Sequence, residues 1–166
     1  MPAFSVRRAH EADRSVVERL WLMFRHDMSE FGGQLPFADG SFRSEWLHAA
    51  FDDVDRVPYL LVSGDSPVGF AFVRGIVGPT RVLNSFFVVR GARRSGLGTR
   101  AVAEVVARHP GPWEVAFQDA NVGAVRFWRR VAADIAGDAW AEEHRPVPGR
   151  ADLPPDVWIS FETTPA

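Results

Sequence analysis

The chain is 166 residues long, 46% apolar and 24% charged, and it carries a net charge of −2 with neither cysteine nor lysine. This is the length and mixture of one globular domain with a sizeable core, and it lacks the basic block that duplex nucleic acid requires. Without cysteine there is no disulfide, thiolate metal site or cysteine nucleophile; without lysine there is no P-loop lysine and no Schiff base.

The N-terminus, MPAFSVRRAH, lacks the apolar stretch of a signal peptide, and no apolar run approaches the roughly 18 residues of a membrane span. A cytoplasmic protein without membrane contact is the expectation. FSVRRA (4–9) reads as the first strand. Asp13 is placed to cap the helix that follows, on which Val16, Val17, Leu20, Trp21, Phe24, Met28 and Phe31 fall on one face. GGQLPFADG (32–40) is a loop, and Phe31 with Phe37 could wall a pocket. SFRSEWLHAAF (41–51) reads as a second, shorter helix opening at a serine. PYLLVSG and PVGFAFVRG are two strands of an antiparallel hairpin, turning at GDSP, and RVLNSFFVV (81–89) is a third. TRAVAEVVARH (99–109) is a helix with Val102, Val105 and Val106 towards the sheet. WEVAF (113–117) is a strand, and NVGAVRFWRRVAA (121–133) is a helix with Ala124, Phe127, Trp128 and Val131 on one side. AWAEEHRPV and DVWISFET are the last strands, around the loop PGRADLPP. His10 and His109 read as exposed element ends. With no repeat and no linker, the order β-α-α-β-β-β-α-β-α-β-β describes one mixed sheet with helices packed on it.

Between the third long strand and the third helix runs VVRGARRSGLGTRA. Gly96 and Gly98 could serve only a tight turn and close helix packing. GLGTRA also fits the dinucleotide fingerprint, with Asp119 about 20 residues on. Two features oppose that reading: RGARRS intervenes after Val89, and the unit follows an antiparallel meander instead of a parallel βαβ crossover. Arg90, Arg93 and Arg94 beside the unbonded amides of a helix N-terminus suit a pyrophosphate with a further phosphate nearby, as coenzyme A carries.

RRSGLG (93–98) matches the [RQ]-x-x-G-x-[GA] acyl-CoA signature of the GNAT N-acetyltransferase superfamily, and NVGAVRFW (121–128) resembles its second motif, N-x-x-A-x-x-[FL]-Y. The element order over residues 4–162 is similar too. The resemblance implies an α/β (α+β) fold, a mixed and mostly antiparallel sheet of about seven strands flanked by about four helices, as a single domain over 1–166. It implies an acetyl-CoA-dependent N-acetyltransferase using no metal, moving acetyl directly to a primary amine; a non-catalytic acyl-CoA-binding or sensing module is the alternative. Phe86, Phe87 and Val88 would hold the pantetheine arm, with the Val88 amide polarising the thioester carbonyl. Arg93, Arg94, Ser95, Gly96, Leu97, Gly98 and Thr99 would wrap the pyrophosphate. Asn121 falls where the family's asparagine touches the cofactor, and it also suits a helix N-cap.

The chain departs from the family at Trp128, which stands where the tyrosine that protonates the leaving thiolate is usual. An indole is no general acid near neutral pH, so the thiolate leaves unaided or through water, or a hydroxyl such as Ser85 serves. The base is not written in a motif. Asp27 and Glu30, with His26, close the first helix, and Glu114, Asp119, Glu142, Glu143 and His144 lie on or beside the later strands. In such folds these segments border the acceptor, so Asp27 and Glu30 are the expected carboxylates that hold the amine cation and take up its proton. Their charge, against few local arginines, points to a small cationic amine. A homodimer is a partner arrangement the sequence allows.

Overall fold

A computed structural model describes residues 2–165. Seven strands, β1 (Phe4–Arg8), β2 (Arg56–Ser63), β3 (Ser66–Arg74), β4 (Arg81–Val88), β5 (Gly111–Phe117), β6 (Ala141–Arg145) and β7 (Asp156–Thr163), form one sheet in the order β1-β2-β3-β4-β5-β7-β6. Every neighbouring pair is antiparallel except β4 and β5, which are parallel and joined through a crossover helix. The helices are α1 (Arg14–Gly32), α2 (Glu45–Asp52), α3 (Leu97–Ala107) and α4 (Val122–Ala136).

The burial of each strand explains its place. VPYLLV in β2 and VGFAFV in β3 are almost continuously apolar because both of their faces are covered. Leu60, Phe70, Phe72 and Phe87 pack with Val17, Leu20 and Trp21 of α1 and Leu47 of α2. Tyr59, Leu61, Ala71 and Val73 point the other way, into a core shared with Val102 and Val105 of α3 and Val131 of α4. β5 and β7 instead alternate. Trp113, Val115, Phe117, Val157, Ile159 and Phe161 are buried under α3 and α4, whereas Glu114, Trp158 and Ser160 face away from them. The α1–α2 layer therefore covers only the β1–β4 half of its face. The β5–β7–β6 half of that face remains open, beside the parallel pair.

Element types follow the sequence expectations, and several boundaries do not. α2 begins at Glu45 and not at Ser41, because Ser41 is bound into a turn by the Asp39 carboxylate and the Arg43 carbonyl accepts the Trp21 indole N–H. α3 begins at Leu97, two residues early, after a single 3-10 turn over Arg90–Ala92. α4 runs on to Ala136, and β6 is confined to five residues. Asp13 stands at the start of α1, but its carboxylate binds Arg7 and the His10 amide instead of the helix amides. His109 is not an exposed end: its Nε2 lies 2.6 Å from the Tyr59 hydroxyl, half-buried at the end of α3.

Candidate active site

The parallel pair β4–β5 is short. It is held only at Arg81–Trp113, Val82–Glu114 and Leu83–Val115, after which the strands separate. The cause lies on the other side of β4. Against β3, Phe72 pairs with Ser85 and Val73 with Leu83, so Asn84 is an extra residue, a β-bulge that bends β4 where it leaves β5. Residues 85–88 thus keep β3 on one edge and have an open edge on the other. The Val89 amide donates to the Val68 carbonyl on β3 at 2.8 Å, so by alternation the Val88 N–H and C=O face the opening. Gly69 permits the close approach of β3, since a Cβ there would run into the Phe87 carbonyl oxygen.

The loop above the opening turns back through two left-handed residues, Arg94 (φ 67°) and Gly96 (φ 77°). The first intrahelical bond of α3 runs from the Arg100 amide to the Gly96 carbonyl at 3.1 Å. The amides of Leu97, Gly98 and Thr99 therefore have no helical partner, and the positive end of the helix dipole lies with them. Gly98 is small for packing as well: a Cβ would lie 3.2 Å from the Phe127 ring. Phe86 stacks on Phe127 (5.7 Å between centroids), and both meet Trp128 edge-on. Trp128 is 7% exposed and belongs to this aromatic wall. Asn121 caps α4, its Oδ1 accepting from the Ala124 amide at 3.1 Å while its side-chain NH2 stays outside that bond.

The arginines of the loop are not equivalent. Arg93, expected at the pyrophosphate, turns towards α1 and the end of β4 while its side chain stays 40% exposed. Its Nε donates to the Val88 carbonyl at 2.7 Å, a terminal nitrogen donates to Asp27 at 2.6 Å, and its guanidinium lies over the Phe87 ring. Arg90 binds the other oxygen of Asp27 at 2.7 Å. Arg93 thus ties α1 to the end of β4, whereas Arg94 is exposed and makes no ion pair among the described residues. Asp27 is the shared partner of both arginines. Expected beside the acceptor amine, it has both oxygens engaged and is 13% exposed. Burial pushes its carboxyl up, but the hydrogen bonds from Arg93 and Arg90 more than offset this and hold it below the usual range.

Glu30 is exposed on the last turns of α1 and makes no ion pair among the described residues. Ser85 is 5% exposed on the α1–α2 side of β4, and its hydroxyl has no partner. The other acids are engaged: Glu114 and Glu143 with Arg145, Glu142 with Arg129 of α4, and Asp119 with His144 at 2.7 Å. Tyr59 is two strands away from the opening, on the α3 face, so it does not take the place of the missing tyrosine. Sequence reasoning passed over Asp156. The alternation Asp156, Trp158, Ser160 on the polar side of the last strand was the available signal.

A parted parallel pair, with a free strand amide inside and a helix N-terminus at its mouth, is the arrangement that an acyl-coenzyme A needs: an edge for the amide-bearing arm and amides for the pyrophosphate. The family model described as "Acetyltransferase (GNAT) family" matches residues 17–132, and the chain belongs to this family. Among solved structures, an acetyltransferase from Thermus thermophilus is similar at 18% identity and a TM-score of 0.68, covering 98% of this chain and 99% of that one. The diaminobutyrate acetyltransferase EctA from Paenibacillus lautus, in complex with diaminobutyric acid and coenzyme A, is similar at 16% identity and 0.68, over 98% and 96%. The ribosomal-protein-S18-alanine N-acetyltransferase of Escherichia coli is similar at 10% identity and 0.68, over 99% and 96%. No curated protein matches the chain.

Proposed function

We propose that the chain, as a single unit over 1–166, transfers acetyl from acetyl-CoA directly to a primary amine. The observation that carries this is the opening between β4 and β5 with the Val88 amide turned into it. The backbone edge of Phe86–Val88 binds the pantetheine arm. The amides of Leu97, Gly98 and Thr99, with Arg94 and Ser95 beside them, bind the pyrophosphate. As the amine attacks, the thioester carbonyl oxygen gains negative charge, and a fixed strand amide at Val88 stabilises that charge without reorganising. Most of the acceleration comes from holding amine and thioester in line, because a thiolate with a pKa near ~8.5 is already a good leaving group. Trp128 and Phe127 shape the cleft beside Phe86, and Trp128 donates no proton to the sulfur.

A small cationic acceptor is the class this reading favours. Its entry would lie between the end of α1 and the uncovered β5–β7–β6 face, and Glu30 offers an unpaired carboxylate there. The charge support is narrower than the sequence implied, because arginines neutralise Asp27, Glu114, Glu142 and Glu143. The test is incubation with acetyl-CoA and a panel of polyamines, aminoglycosides and neutral or acidic amino acids, following free thiol. Acceptor-dependent thiol release, fastest for the cationic amines, is expected. Acetyl-CoA binding without release for any amine would leave a binding module instead.

A further inference from the structure

Acetyl transfer to an ammonium needs a group that takes its proton, and the acids around the opening are nearly all committed to arginine or histidine. Besides the exposed Glu30, the exception is Asp156. It is half-buried, and its carboxylate makes no hydrogen bond or ion pair among the described residues. It opens β7, one residue before Val157, whose register partner Phe117 ends β5. Asp156 therefore stands at the end of the sheet where β4 and β5 have already parted. Val157 and Ile159 are buried under α3 and α4, so alternation turns Asp156 to the opposite face, the one no helix covers here. Only β5 separates it from the opening. With paired strands about 4.8 Å apart and the gap wider than that, it is at least about 7 Å sideways from the middle of the gap, a span for its own side chain and a bridging water.

We infer that Asp156 is the general base for the acceptor amine, an assignment that rests on the acetyl-transfer reading above. The ammonium gives one proton to the Asp156 carboxylate, directly or through a water, and Asp156 passes it to solvent. The neutral amine forms the C–N bond to the acetyl carbon, the C–S bond breaks, and a second N–H proton leaves with the sulfur as thiol. One acetyl group moves, one proton reaches solvent, and nothing is oxidised or reduced.

The surroundings suit this role. Arg145, the register partner on β6, is drawn away to Glu114 and Glu143 and lies over the Trp158 ring. In the loop before β7, Arg150 is bound to Asp152, and His144 with Asp119 belongs to the other side of the sheet edge. No cation therefore holds Asp156 ionised, and burial pushes its carboxyl up from its ordinary value, the direction that strengthens a base.

The experiment compares wild type, Asp156→Asn and Asp156→Glu with acetyl-CoA and three amines: L-2,4-diaminobutyrate, spermidine and a peptide with a free N-terminal alanine. Acetyl-CoA affinity is measured by calorimetry and thiol release across pH 5 to 9. Removing a general base should lower kcat/KM by about 100-fold to 10,000-fold, with acetyl-CoA affinity unchanged and partial recovery in the glutamate variant. The acid-side bend of the wild-type pH profile should vanish in the asparagine variant. Asp156→Asn activity within about threefold of wild type overturns the assignment and leaves acetyl transfer standing, as does a loss confined to acetyl-CoA affinity. Wild type that binds acetyl-CoA yet acetylates none of the amines overturns both.

Discussion

Replacing Asp27 tests whether α1 and the loop after β4 are mechanically one piece. Its two oxygens take hydrogen bonds of 2.6 Å from Arg93 and 2.7 Å from Arg90. The Arg90 side chain is 71% exposed, so that pair contributes at most about 1 kcal/mol. Arg93 is also anchored to the Val88 carbonyl and stacked on Phe87, and a charged hydrogen bond in such a place is worth about 1.5–3 kcal/mol. Asp27→Ala should therefore cost about 2–3 kcal/mol, which lowers Tm by about 4–12 °C for a chain of this size. Loosening Arg93 also frees the Val88 peptide, so kcat/KM for acetyl-CoA should fall about tenfold, about 1.4 kcal/mol. The pH dependence has a definite sign. The folded carboxyl is held below its ordinary value, so its contribution is complete above about pH 4 and is lost as pH falls through the folded pKa. Melting curves from pH 7 downwards, with steady-state kinetics at pH 7, measure both effects. A Tm within about 1 °C of wild type at pH 7, or a deficit that grows on acidification, would refute the reasoning.

Three further outcomes are expected. Gly98→Glu puts a side chain against the Phe127 ring and a negative charge among the amides proposed for the pyrophosphate; acetyl-CoA affinity should fall at least ~100-fold, about 2.7 kcal/mol, by calorimetry. Trp128→Phe should keep kcat within about tenfold and leave the basic side of the pH profile unchanged; a drop of more than about 1000-fold with normal acetyl-CoA binding would make the indole a participant in the chemistry. Tyr59→Phe should cost about 1 kcal/mol in chemical denaturation and leave kinetics untouched, because the hydroxyl's partner is His109, remote from the opening. Burial lowers the His109 pKa, so this corner of the core loses stability as pH falls below about 6.5, and a melting temperature flat from pH 8 to pH 5 would contradict that.

Much of the molecule is legible in one dimension. The helical spacing of Val17, Leu20 and Trp21, the unbroken apolar runs of β2 and β3, and the alternation of β5 follow from how many faces each element buries, and local pattern encodes that number. The glycine loop is legible for a related reason: left-handed backbone at Gly96 and unbonded helix amides are local properties. What the side chains of that loop bind is a different matter. Arg93 lies within the acyl-CoA signature, yet its partner Asp27 is 66 residues away and its other acceptor is a strand carbonyl. Asp27 and Asp156 look alike in the sequence, each an acid near the end of an element. Tertiary packing brings two arginines to the first and directs Arg145 away from the second, so one carboxylate is pinned in its charged form and the other stays unpaired at the cleft. Likewise, the bulge at Asn84 exists only against β3, and it parts β4 from β5. Local chemistry sets element type and loop conformation, whereas an ion pair or a strand separation depends on which distant groups share the space, and only the folded chain determines that.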